Sequence, residues 1–319
     1  MWFRRITTIT VITVYLVILA GGIVRSTGAG MGCPDWPRCF GTWVPPTDVS
    51  QLPANYAEIY GAKLKGEVVF NVVKTWTEYI NRLLGVLTGL FIFVTLVTSL
   101  KYWKSDRVIV WASLAAFLLV GFQGWLGSKV VSTELLPVMI TLHMLLAIVI
   151  VFILLYVLAR SSSSTLQVES LTNAVAVNRW LIIAMLAMLS QVLLGTQVRE
   201  AIDVVAEQLG VSERANWVSH LQLPFYIHRT YSLVILAIQL YVVYLLKKNS
   251  SQRGVLSRYS TLLAGMIGVE IVSGALMAYF GIPPYIQPIH LTLSIVIIGL
   301  QFVTWLLLNW KQVSYPITN

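Results

Sequence analysis

Eight apolar stretches, each about as long as the ~20 residues a helix needs to cross a ~30 Å hydrocarbon core, decide which solvent this chain folds in. They lie at about Ile6 to Val24, Glu78 to Ser99, Val108 to Gly127, Leu135 to Leu158, Asn178 to Val198, Phe225 to Leu246, Tyr259 to Phe280 and Tyr285 to Leu308. With 57% hydrophobic and only 11% charged residues, and a mean hydropathy of +0.78, the chain falls outside the range of a soluble globular domain of this size. Backbone groups in lipid must be satisfied within the span, which predicts an all-α membrane protein.

The spans are written twice. Tyr226-Ile227-His228-Arg229 repeats Tyr79-Ile80-Asn81-Arg82 at an offset of 147 (226 − 79), and His290 repeats His143 at the same offset. Gly121 and Gly268, Gln123 and Glu270, and Gly127 and Gly274 keep it too. A constant offset across several spans predicts two homologous four-helix bundles in tandem. Four spans per half is an even number, so the repeat is parallel, with a pseudo-twofold axis along the membrane normal. The predicted organisation is an N-terminal half over residues 1–160 with a long loop at 26–77, a linker at 161–177 that begins Ser-Ser-Ser-Ser-Thr, and a C-terminal half over 178–319.

The first span follows Arg4 and Arg5, as a cleavable signal peptide would. Its end, Gly21-Gly-Ile-Val-Arg25, reappears as Gly195-Thr-Gln-Val-Arg199, which argues for a structural first span. Short-loop charge predicts orientation. With cytoplasmic N- and C-termini, that side carries twelve basic residues, among them Arg4, Arg5, Lys101, Lys104, Arg107, Lys247 and Lys248, against Asp106 and Glu169. The net charge of +9 thus reports the topology of a multi-pass protein of the cell membrane, with lipid and no nucleic acid as its surroundings. A homo-oligomer is compatible with the sequence.

Loop 1 holds both cysteines, Cys33 and Cys39, in Gly-Cys-Pro-Asp-Trp-Pro-Arg-Cys-Phe-Gly. The topology places them on the oxidising side, where a disulfide persists. Two readings stand: a structural staple, and a thiol pair that exchanges electrons or a partner's disulfide.

Gln123, Gln191 and Glu270 each precede a glycine by four residues, Gly127, Gly195 and Gly274, and Val17 precedes Gly21 likewise. That spacing puts both residues on one helical face, where the glycine admits a close neighbour helix or a flat ligand. A carboxyl within a span is costly, so Glu270 needs a proton or a hydrogen-bond partner.

His143, His228 and His290 all fall within the first turns of spans running in the same direction, and Asn81 takes the fourth such position. Two imidazoles from helices of one bundle are a usual way to hold haem iron from both faces. His228 and His290 are therefore the predicted pair for a haem iron. Arg25 and Arg199, ending the first and fifth spans, read either as cations for haem propionates or as interfacial arginines. His220 lies in the loop before the sixth span and reads as solvated. Glu78 stands one turn before Asn81 and its equivalent is Phe225, so the first half has an acid that the second lacks. A partly buried carboxyl there suits proton transfer; the alternative is an interfacial Glu.

Over essentially all eight spans the chain resembles the haem A synthase family. The resemblance rests on the loop 1 cysteine motif, Glu78-Tyr-Ile-Asn81-Arg82, Gln123 through Thr141-Leu-His143, and Ile227-His228-Arg229 with His290. It implies an oxidoreductase for cytochrome oxidase cofactor biosynthesis, with haem b between His228 and His290. The N-terminal half would take haem O and oxidise its C8 methyl group, through an alcohol and a hydrated aldehyde, to the formyl group of haem A. The family's catalytic glutamate corresponds to Glu78 and a substrate-side histidine to His143, and a haem O synthase would be the supplying partner. Two features depart from the family. Asn81 stands where members usually have His, and there is no second cysteine pair between Arg199 and Pro224. The rival of another class is a dihaem b-type electron-transfer cytochrome that oxidises quinol; a transporter, which would show broken helices at mid-membrane, comes third.

Overall fold

A computed structural model describes residues 2–61, 70–162, 171–251 and 254–309. Among the described residues, eight helices are long and apolar enough to span a membrane. They are α1 (Trp2–Ser26), α3 (Val72–Ser99), α4 (Arg107–Ser132), α5 (Pro137–Ser161), α6 (Ala174–Leu209), α8 (Leu223–Asn249), α9 (Val255–Tyr279) and α10 (Ile286–Leu308). Two short helices, α2 (Tyr56–Gly61) and α7 (Trp217–His220), lie in the connections. The described residues contain no β-strand, only a bridge between Cys39 and Thr42.

Local chemistry sets the helix ends. Asn71, Asp106 and Asn173 cap α3, α4 and α6, accepting from Lys74 N at 3.0 Å, Val108 N at 3.2 Å and Ala176 N at 3.2 Å. In α1, the hydroxyls of Thr7, Thr10 and Thr13 bond back to carbonyls four residues earlier, so these polar groups enter an apolar span without orphaned atoms. Thr10 also meets Thr95 Oγ1 at 2.8 Å, tying α1 to α3.

The chain divides into two compact units, Met1–Leu154 and Leu155–Asn319. In the first, α3 packs against α1 and α4, and Gln123 Nε2 of α4 donates to the His143 carbonyl of α5 at 2.8 Å. In the second, α6 packs on α8 and α10, and α9 packs on the same two helices. That makes a ring in which α8 and α10 face each other diagonally.

Loop 1 has the disulfide as its centre. Cys33 and Cys39 are joined, with Cα atoms 4.8 Å apart, and both are fully buried beneath Phe40, Leu52, Tyr56, Tyr60, Phe70 and Tyr79. Asp35 closes the turn by accepting from Phe40 N at 2.6 Å and Gly41 N at 2.9 Å. The loop docks on the first turns of α3: Thr75 Oγ1 donates to Gly32 O at 2.9 Å. A Cβ on Gly32 would fall 2.4 Å from the Lys74 carbonyl oxygen, so only glycine fits that approach. Residues 62–69, within the expected loop, lie outside the described residues.

Three elements differ from the sequence expectation. α6 does not stop near Val198 but continues to Leu209. Arg199, Glu200, Asp203 and Glu207 end the apolar run there, yet Val198, Ile202 and Val205 form a buried stripe against Trp217, Leu221, Phe225 and Ile282, and that packing carries the helix on. Leu135, expected inside the fourth span, belongs to the turn before α5. Glu134 and Leu135 are left-handed there (φ 52° and 63°), as are Gly281 and Ile282 (φ 64° and 56°), which sit 147 positions later (281 − 134). The expected linker is shorter, running from the end of α5 at Ser161 to the start of α6 at Ala174; its residues 163–170 lie outside the described residues.

Candidate functional site

Each of the four matched positions sits against a glycine of the preceding long helix. A Cβ built on Gly127, Gly195 or Gly274 would lie 3.4, 3.5 or 3.3 Å from Cε1 of His143, His228 or His290, and one on Gly21 would lie 3.9 Å from Asn81 Oδ1. At Gly274 that distance is tighter than ordinary contact; at the other sites it is ordinary contact. The glycines thus set how deeply each side chain seats; the spacing from Gln123, Gln191 and Glu270 points to a close neighbour helix or a flat ligand.

The polar residue one turn before each glycine takes up the same helix pair. Gln191 Nε2 donates to the His228 carbonyl at 2.9 Å, matching Gln123 on His143. Glu270 has no amide to donate and behaves differently. Its Oε1 accepts a short hydrogen bond from Ser294 Oγ and lies 3.4 Å from His290 Nδ1. Ser273 Oγ lies 2.8 Å from the same nitrogen. By contrast, Nδ1 of His143 and of His228 is buried without a hydrogen-bond partner.

His228 on α8 and His290 on α10 project from the diagonal helices of one ring, within electrostatic range of each other. Among the described residues no hydrogen bond occupies Nε2 of His143, His228 or His290. Nor do three or more His, Cys, Asp or Glu converge there as a cage for a bare ion. Two imidazoles with free Nε2 atoms, set on opposite helices over glycines, fit a metal whose other ligands come from a macrocycle.

Glu78, 4% exposed, is bound on both oxygens. Oε1 accepts from Arg82 Nη2 at 2.5 Å and Nε at 3.2 Å, and Oε2 accepts from the Cys33 N–H at 2.7 Å. Arg82 also donates to the carbonyls of Cys33, Asp35 and Arg38 at 3.2, 2.7 and 2.9 Å. The acid one turn from Asn81 is therefore also the anchor of the disulfide loop. Its equivalent, Phe225, has a parallel task in apolar form, packing with Trp217 and Ile282. Where a second cysteine pair is missing, Arg214 stacks on Trp217 at 4.3 Å and donates to Ile282 O at 2.7 Å.

Arg199 bonds Asp203 at 2.7 Å and Gln287 at 2.7 Å, so its charge is met by the protein itself, and Arg25 ends α1. His220 is in α7, not a loop; it is exposed and bonds Asn216 O at 2.9 Å, apart from the other histidines. Sequence reasoning missed Arg82, Ser273 and Ser294. The signals were present as helical spacing: Arg82 is four after Glu78, Ser273 three after Glu270, and Ser294 four after His290.

The chain is 28% identical over 196 residues to the Heme A synthase of Shewanella oneidensis, covering 61% of this chain and 55% of that protein. It is 21% identical over 319 aligned residues to the Heme A synthase of Bartonella tribocorum, covering 91% and 87%. The Heme A synthase of Alkalihalophilus pseudofirmus is 32% identical over 136 residues, 42% of this chain and 38% of that one. The chain thus spans about half the length of the Shewanella protein, and less of the Alkalihalophilus one. The model of the COX15-CtaA family, described as cytochrome oxidase assembly protein, matches residues 4–302, and the chain belongs to that family.

Proposed function

We propose that the chain is a haem A synthase of the cell membrane, oxidising the C8 methyl group of haem O to the formyl group of haem A. The observation that carries this reading is the repeated seat of a side chain on a glycine, filled by imidazole at His143, His228 and His290 and by an amide at Asn81. One bundle has two imidazoles to hold a resident group permanently. The other has one imidazole, a carboxylate one turn away and a substrate position short of a strong ligand.

His228 and His290 would hold haem b, which when bound would supply one-electron transfer. The chain's own residues do the rest. His143 and Asn81 orient haem O in the first bundle. Glu78, held by Arg82 and the Cys33 N–H, accepts protons leaving the methyl carbon. The loop closed by Cys33 and Cys39 covers the turns of α3 that carry Glu78 and shields them from bulk water. Arg25 in the last turn of α1 and Arg199, ten residues before the end of α6, supply cations for propionates, Arg199 by exchanging its bond to Gln287. The N- and C-termini lie in the cytoplasm, and a haem O synthase delivers the substrate.

Expressing the chain with a source of haem O and separating the extracted haems chromatographically tests the proposal. Haem A should appear. If only haem O and haem b are recovered, the chain is a b-type electron-transfer cytochrome instead. His228→Ala and His290→Ala should each abolish the low-spin haem b spectrum.

A further inference from the structure

Of the three histidines, His290 alone has side-chain oxygens against Nδ1, and they come from the one place where the Gln-x-x-x-Gly pattern is broken. The Ser273 hydroxyl has a single proton and lies 2.8 Å from the Glu270 carbonyl oxygen, which can only accept it. Its oxygen therefore faces His290 Nδ1, also at 2.8 Å, as an acceptor. Glu270 Oε1 adds a carboxyl oxygen 3.4 Å from the same nitrogen. The Ser294 hydroxyl, bonded to Oε1, keeps that carboxyl group in place. With the Ser273 proton on the Glu270 carbonyl, both side-chain oxygens favour the proton on Nδ1, which leaves the Nε2 lone pair free for a metal.

We propose that Glu270 and Ser273 are positioning residues for His290, which fix its tautomer and make it a stronger electron donor to bound haem b than His228 on the opposite face. The inference rests on the reading of His228 and His290 as the haem b ligands. A carboxylate or hydroxyl behind a metal-bound imidazole increases its donation to the metal, and donation favours the oxidised iron. The first half has no such device: Ser273 corresponds to Leu126, Glu270 to Gln123 and Ser294 to Ala147. The arrangement therefore belongs to the permanent electron relay, and the substrate site lacks it.

The test is a redox titration of the purified full chain loaded with haem b, following the low-spin absorbance. Glu270→Gln and Ser273→Ala should each retain low-spin haem while moving its midpoint potential upward, and the double variant should move it further. The ferric electron paramagnetic resonance signal should shift with it, a change that loss of packing alone would not produce. Unchanged potentials in all three variants would overturn the inference while leaving the haem b reading intact. If E270Q failed to hold haem, an unshifted S273A would overturn it as well. The underlying reading fails separately, by a low-spin spectrum that survives in both His228→Ala and His290→Ala.

Discussion

At position 78 a single carboxylate is placed to serve chemistry and already serves architecture, and the two roles separate by substitution. Glu78→Ala would leave the Arg82 guanidinium, 13% exposed, without its counter-charge, at a cost of about 3 kcal/mol or more. Glu78→Gln removes the same counter-charge and sets its NH2 against one of the two donors, but it keeps one acceptor oxygen and fills the space, so its cost is smaller, about 1 to 3 kcal/mol. The glutamine variant should therefore insert, melt below wild type but above the alanine variant, and keep the haem b spectrum. Haem A yield should nevertheless fall steeply, because losing positioned proton transfer typically costs about 10² to 10⁴ in rate. Normal yield from E78Q beside a destabilised E78A would make Glu78 an anchor only. Asn81 permits a complementary experiment. Its Oδ1 is buried with no hydrogen-bond partner and has space against Gly21, so Asn81→His should seat as the other histidines do. Protein loaded with haem O should then shift toward a low-spin spectrum. If the wild type is already bis-imidazole, another histidine fills that place.

Among the elements, the two segments that cap the bundles reach the same end by different chemistry. Loop 1 is closed by a short disulfide, worth roughly 2 kcal/mol in the chain-entropy model, and held on α3 by Glu78, Arg82 and Thr75. The segment between α6 and α8 has no cysteine and relies on Trp217, 2% exposed, packed among Phe225, Ile282 and the extension of α6. Trp217→Ala should thus cost more than the Cys33→Ser, Cys39→Ser pair, about 3 to 5 kcal/mol against roughly 2. Thermal melts in detergent would rank them; the reverse order would mean that the α6 extension is held by something else. The full burial of both sulfurs also favours the staple over thiol exchange, since an attacking thiolate has to reach a sulfur. The spans and the matched histidines were legible because lipid demands long apolar runs and the repeat marks equivalent positions. The extension of α6 was not, because four charged residues conceal a stripe whose partners are distant in sequence. The Glu78–Arg82 pair was half legible: the i to i+4 spacing was in the sequence, the loop carbonyls that complete it were not.

For the whole molecule, the offset of 147 compares two bundles that share a plan and differ in what fills it. Eleven residues below His228 and His290, on the same two diagonal helices, Gln239 and Gln301 are 1% and 0% exposed. Gln301 Nε2 donates to Gln239 Oε1 at 2.5 Å. The equivalent residues of the first half are Ile92 and Leu154 (239 − 147 and 301 − 147), both fully buried. One half thus has a polar cross-link where the other has hydrocarbon. The link is incomplete, because Gln239 Nε2 and Gln301 Oε1 have no partner. Replacing one glutamine removes the shared hydrogen bond and leaves the other amide buried with nothing to bond, at about 1 to 3 kcal/mol. Replacing both removes every unsatisfied atom at once, which can be nearly neutral or stabilising, and apolar side chains of similar volume avoid a cavity. Gln239→Ile and Gln301→Leu should each lower the melting temperature, and the double variant, which reproduces the first half, should recover to wild type or above. Additive losses in that cycle would mean that each glutamine is satisfied separately, and the pair would then not act as one cross-link.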